Sequence, residues 1–76
     1  MTKPTWLLRH ISIGVKLVLL DQDGHVRALV ERAGHDYYCD VWVNLHDTPV
    51  QTSRNRFPSA VVEEAESLLV NAGVEL

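Results

Sequence analysis

Apolar and polar positions alternate from residue 11 to residue 20. The odd positions are Ile11, Ile13, Val15, Leu17 and Leu19, and the even ones are Ser12, Gly14, Lys16, Val18 and Leu20. Successive side chains of a strand point to opposite faces, so one wholly apolar face and one mixed face predict a half-buried β-strand. Asp21-Gln22-Asp23-Gly24 is a turn signal. Residues 25–32 alternate again, with Val26, Ala28 and Val30 as the apolar set. Ala33-Gly34-His35-Asp36 marks a second turn, and residues 37–45 carry Tyr37, Cys39, Val41, Val43 and Leu45 at alternate positions.

The registers of these strands support one another. A four-residue loop at 21–24 sets Val15 opposite Val30, Leu17 opposite Ala28 and Leu19 opposite Val26. A four-residue loop at 33–36 sets Val30 opposite Cys39, Ala28 opposite Val41 and Val26 opposite Val43. Both bury the same apolar set, and a slip of one residue would turn it to solvent. The expectation is a three-stranded antiparallel meander.

Its apolar face needs a cover. Residues 59–73 supply one, because Val61, Val62, Ala65, Leu68, Leu69 and Ala72 recur at helical spacing while Glu63, Glu64 and Glu66 point away. Ser59 is the expected N-cap, with the early glutamates near the positive end of the helix dipole. Gly73 is the expected C′ residue, and Val74 is placed to touch Leu69. The predicted fold is α+β, in the order β-β-β-α, with residues 48–58 as a connecting loop. Residues 1–10 form an N-terminal extension in which Trp6-Leu7-Leu8 either lengthens the first strand or folds over an edge.

Composition narrows the class. The 76 residues suit one small domain with one core, and 46% hydrophobic with 22% charged residues is a globular balance. A single cysteine forms no internal disulfide, which makes a reducing cytoplasm the default location. The longest apolar run is four residues, at 17–20, so neither a membrane-spanning helix nor a signal peptide is expected. The formal charge of −3 counts against non-specific binding to nucleic acid.

The stretch "ERAGHDYYCDVWVNLHD" at 31–47 crowds reactive side chains together, but alternation separates them. Cys39 belongs to the core set and Asp40 to the opposite face, and eleven residues of strand place His35 and His46 about 36 Å apart. A buried cysteine beside Val30 is an inert one. Register gathers His25, His46, Asp23 and Asp47 with Asp21 at one end of the sheet, where they are weak candidates for a divalent metal, and polar loop ends are the ordinary explanation. At the other end His10 falls formally opposite His35. Arg54 and Arg56 stand near the helix start, where an anion or simply solvent can meet them. No nucleophile elbow, phosphate loop or cofactor motif is present, so neither catalytic residues nor a cofactor are expected.

The face away from the helix is more informative. Its expected rows are Leu20–His25–Asn44, Val18–Arg27–Trp42, Lys16–Leu29–Asp40 and Gly14–Glu31–Tyr38. A solvated sheet face is normally polar, yet Val18, Leu20, Leu29, Tyr38 and Trp42 make this one broadly apolar, with Arg27 beside the Trp42 indole. Trp, Tyr and Arg are enriched at binding hot spots. With Lys16 and Asp40, these residues form the candidate surface for a protein partner or for self-association. The alternative is a lid from Trp6-Leu7-Leu8 or from residues 48–58.

The architecture of three strands and a helix is similar to that of plant AP2-type and phage-integrase arm-type DNA-binding domains, without a motif that matches residue by residue. That likeness implies a DNA-binding sheet face, against which Glu31 and Asp40 stand on the same surface. The expectation is a non-enzymatic interaction module. Compact acidic chains of this size, anti-CRISPR proteins among them, often serve as accessory or inhibitor proteins of phages and mobile elements.

Overall fold

The computed structural model describes residues 5–11 and 14–76, with the backbone alone at 10, 11, 14 and 15. It is an α+β fold with one antiparallel sheet and one C-terminal helix, but the sheet has five strands where three were expected. They run β1 (Trp6–Ile11), β2 (Gly14–Leu20), β3 (Val26–Ala33), β4 (Asp36–Val41) and β5 (Val50–Gln51), each paired with its neighbours in chain order. The helix α1 spans Pro58–Asn71.

Both extra strands come from segments whose role was open. Trp6-Leu7-Leu8 neither lengthens β2 nor folds over the sheet, because the chain reverses between Ile11 and Gly14 and β1 returns alongside β2, Trp6 opposite Leu19 and Leu8 opposite Leu17. Residues 48–58 are more than a loop. Val50 pairs with Val41 and Gln51 with Asp40, and Asn55 makes a further bridge to Tyr37.

The β3–β4 register is the expected one, from Ala28↔Val41 through Val30↔Cys39, and it continues to Ala33↔Asp36. The turn is thus the two residues Gly34 and His35, with Gly34 at φ +63°, a left-handed conformation that glycine adopts without a Cβ penalty. Between β2 and β3 the expectation fails by two residues. Leu19 faces Ala28, and beyond a bulge between Leu19 and Leu20 the next pair is Leu20↔Val26. A slip of two keeps every side chain on its face, which is why the same apolar set is buried. β4 stops at Val41, and Val43 and Leu45 are exposed in the following turns rather than core.

The core lies between α1 and the β2–β3–β4 centre: Leu19, Ala28, Cys39 and Val41 from the sheet, and Val61, Ala65 and Leu69 from the helix. Val62 and Leu68 are half-buried and Ala72 is exposed, so the helix buries a narrower stripe than expected. Phe57 is the N-cap, not Ser59; its backbone is extended and Pro58 opens the helix, a position where the missing N–H costs nothing. No acidic residue sits in the first turn. Glu64 and Glu66 do not point away freely. Glu64 Oε2 accepts from Ser53 N at 2.9 Å, and Glu66 Oε1 accepts from Trp6 Nε1 at 2.7 Å. The C-terminus is as expected. Gly73 at φ +81° donates to Val70 O and Val74 donates to Leu69 O, the two bonds of a Schellman ending.

Candidate functional site

The open sheet face is built from alternate residues of the strands. One row crosses all five: Leu7, Val18, Leu29, Asp40 and Gln51. A second carries Arg9 beside Lys16 and Glu31 beside Tyr38. The rows differ from expectation because of the two-residue shift. Val18 stands against Leu29 rather than Arg27, and Lys16 against Glu31 rather than Leu29, with Lys16 Nζ 3.2 Å from Glu31 Oε2. Leu20 leaves the regular row at the bulge, paired with Val26.

Exposure sorts the candidate surface. Val18 is fully buried, so β2 is enclosed on both faces at Val18 and Leu19, and Val18 offers no contact area. Lys16, Leu20, Arg27, Leu29, Tyr38, Asp40 and Trp42 are half-buried. Leu7, absent from the sequence-based set, is 44% exposed on this face. Its place was hidden because nothing in the alternation marks β1 as a separate strand.

Arg27 stands beside Trp42 through the backbone of that residue, and Asp21 is a further partner that was not expected. Arg27 Nε donates to Asp21 Oδ2 at 2.7 Å, and its Nη1 donates to the carbonyls of Trp42 and Val43 at 3.1 and 3.0 Å. The guanidinium therefore pins the end of β4 to the β2–β3 turn, a task fitted to its fixed fork of donors. The cation–π contact lies elsewhere, with the Arg54 guanidinium 5.6 Å from the Tyr38 ring centroid.

The metal candidates separate as well. Asp21, Asp23 and His25 bring ligand atoms within 4.8 Å of one another, while His46 and Asp47 are not in that group. They belong to a turn of their own, where His46 N donates to Asn44 Oδ1 and Asp47 N to Asn44 O. Asp21 is already occupied structurally: Oδ1 accepts from the backbone N–H of Asp23 and of His25, both at 2.9 Å. Its carboxyl is held below the usual carboxylate range, chiefly by the Arg27 hydrogen bond, with the two backbone donors adding and burial opposing. These contacts describe an Asp-capped turn. The His10 side chain lies outside the described residues, and the His10 backbone pairs with Val15 rather than standing opposite His35.

Cys39 is fully buried with Sγ 3.6 Å from Val61 O. Burial pushes its thiol up to about 12, and Asp40 and Glu64 push the same way. Such a thiol is a poor nucleophile at neutral pH. Two shallow grooves border α1, one of about 430 Å³ lined by Glu63, Glu66, Ser67, Val70 and Asn71. The other, of about 440 Å³, runs between the helix and Leu17. Among the described residues neither is lined by a His, Cys, Lys or Arg. No helix among the described residues is long and apolar enough to cross a membrane. The chain matches no protein-family model, no curated protein and no solved structure.

Proposed function

We propose that this chain is a non-enzymatic protein-interaction module whose open sheet face binds a protein partner, the kind of role filled by small accessory or inhibitor proteins. One observation carries the reading. The open face joins Leu7, Leu29, Tyr38 and Trp42 in a surface where Lys16 is matched by Glu31 and Arg27 by Asp21. Desolvating a charge that keeps its partner costs far less than stranding one, so a protein can cover Lys16 and Arg27 without supplying counter-charges and need answer only Asp40 in the central row. Of the two segments that were candidates to cover it, Trp6-Leu7-Leu8 lies in the edge strand β1 and Val50–Gln51 in the edge strand β5, while Arg54 reaches over Tyr38.

The same pairing weakens the DNA-binding alternative. Phosphate contacts need cations with unsatisfied donors, and Lys16 and Arg27 are committed to carboxylates. The reading is tested by capture from the native host with wild type and with Trp42→Ala and Leu29→Lys variants, alongside a duplex-DNA titration at two salt concentrations. The expected result is a specific protein captured by wild type and lost with both variants, while their thermal melts stay cooperative. Micromolar or tighter DNA binding that weakens steeply with salt, or capture indifferent to both substitutions, would overturn it.

A further inference from the structure

We infer that the outer edge of β1 pairs with the same edge of a second copy of this chain, antiparallel and two-fold symmetric, so that two sheets become one. β1 is the terminal strand of the sheet, and among the described residues nothing pairs with its outer side. Alternate residues of an antiparallel edge strand turn their N–H and C=O groups outward. Such edges are ordinarily blunted by brevity, proline, charge or a bulge.

The opposite edge is blunted in this way. β5 has two residues, follows Pro49, and gives way to the lone bridge between Asn55 and Tyr37. β1 has six residues, no proline, no acid, and Arg9 as its one Lys or Arg. Apolar side chains flank the seam on both sides: Leu8, 75% exposed on the helix side, and Leu7 on the open side. A strand laid along β1 satisfies the backbone and covers both leucines. The bond from Trp6 Nε1 to Glu66 ties the edge to α1, which lowers the ordering cost of pairing.

Asymmetry of the two edges selects the occupant. Head-to-tail stacking needs a receptive β5, and β5 is too short, so among the described residues the receptive edge is β1. Pairing β1 with itself gives a closed two-fold dimer rather than a filament. A register centred on Leu8 places Leu8 against the partner's Leu8 and Arg9 against the partner's Leu7. Centring on Arg9 would oppose like charges. This inference concerns the edge, and it stands or falls separately from what the open face binds.

The test is light scattering of the full chain from micromolar to millimolar concentration. Wild type is expected to reach twice the 8.6 kDa of one chain. Leu8→Lys puts two ammonium groups directly opposite and is expected to remain monomeric over that range, with an unchanged circular-dichroism spectrum because Leu8 is exposed. Leu8→Cys is expected to oxidise to a linked dimer, since directly opposed Cβ atoms lie about 5 Å apart, while a Val70→Cys control on the exposed side of α1 does not. A wild type monomeric at every concentration would leave the edge to a foreign strand and overturn self-pairing. A dimer mass that survives Leu8→Lys unchanged would overturn the assignment to β1.

Discussion

Replacing Asp21 by alanine removes the carboxylate that closes the β2–β3 turn and anchors Arg27, the side chain that reaches the end of β4. The Asp21 side chain is only 4% exposed. Three contacts disappear: the acceptor for Asp23 N, the acceptor for His25 N, and the 2.7 Å bond from Arg27 Nε. The two backbone donors lie at an exposed turn where water replaces the carboxylate, so together they contribute about 0.5–1 kcal/mol. The charged bond contributes about 1.5–2 kcal/mol, the low end of the range for hydrogen bonds to ions, because Arg27 keeps two carbonyl acceptors and the turn is screened by solvent. The expected loss is about 2–3 kcal/mol, a large share of the ~5–15 kcal/mol that stabilises a domain. With a urea slope of ~1 kcal/mol per M for a chain this small, the unfolding midpoint should fall by about 2–3 M. Asp21→Asn keeps the turn acceptor and loses the charge, and should fall by about half as much. A midpoint within ~0.5 M of wild type for Asp21→Ala would refute the assignment of Asp21 as the tie.

The same residue predicts an acid dependence. Arg27 lowers the folded-state value below the ordinary 3.8, so the stabilisation is fully present above 3.8 and is lost as pH falls through the lowered value. The urea midpoint of wild type should therefore decline in acid more steeply than that of Asp21→Asn.

Thr52→Val should cost about 1–3 kcal/mol, because Thr52 Oγ1 accepts from Cys39 N at 2.8 Å inside the protein and valine leaves that donor unpaired; a urea melt checks it, and a change under ~0.5 kcal/mol would mean another acceptor reaches the amide. Cys39 should resist a thiol reagent in the folded state and react at once in denaturant. Since its folded value is raised to about 12, its stabilisation is present below the ordinary thiol value of 9.0 and lost as pH rises toward 12; Cys39→Ala should lack that alkaline decline, and a decline of equal slope would place its origin elsewhere.

How far the fold was legible depended on what period-2 alternation records. It records the face of each side chain, so Leu19, Ala28, Cys39 and Val41 were assignable to the core and Val18, Leu29, Tyr38 and Trp42 to the other side. It does not record which pair on a face is adjacent. The β3–β4 register followed because Gly34 allows a tight turn with unbroken pairing on both sides. The β2–β3 register did not, because the bulge at Leu19/Leu20 and the longer turn displaced it by two, leaving alternation unchanged. The reversal between Ile11 and Gly14 was missed because apolar alternation runs unbroken through Ile11, Ile13 and Val15, so that Ser12 and Gly14 read as the polar face of one strand.

The candidate surface divides along the same line. Its residue types were visible in the chain, yet Val18 is enclosed and Leu7 joins it only because β1 folds back beside β2. The sequence by itself determined two alternating faces, the helix that covers one of them, and the Gly73 ending of that helix, since each depends on local period or backbone freedom. Tertiary structure alone decided that Arg27 joins Asp21 to the Trp42 carbonyl, that Lys16 answers Glu31, and that β1 lies at an open edge. Those outcomes rest on which strands stand side by side, a matter of cross-strand distances of a few ångström that no one-dimensional pattern encodes.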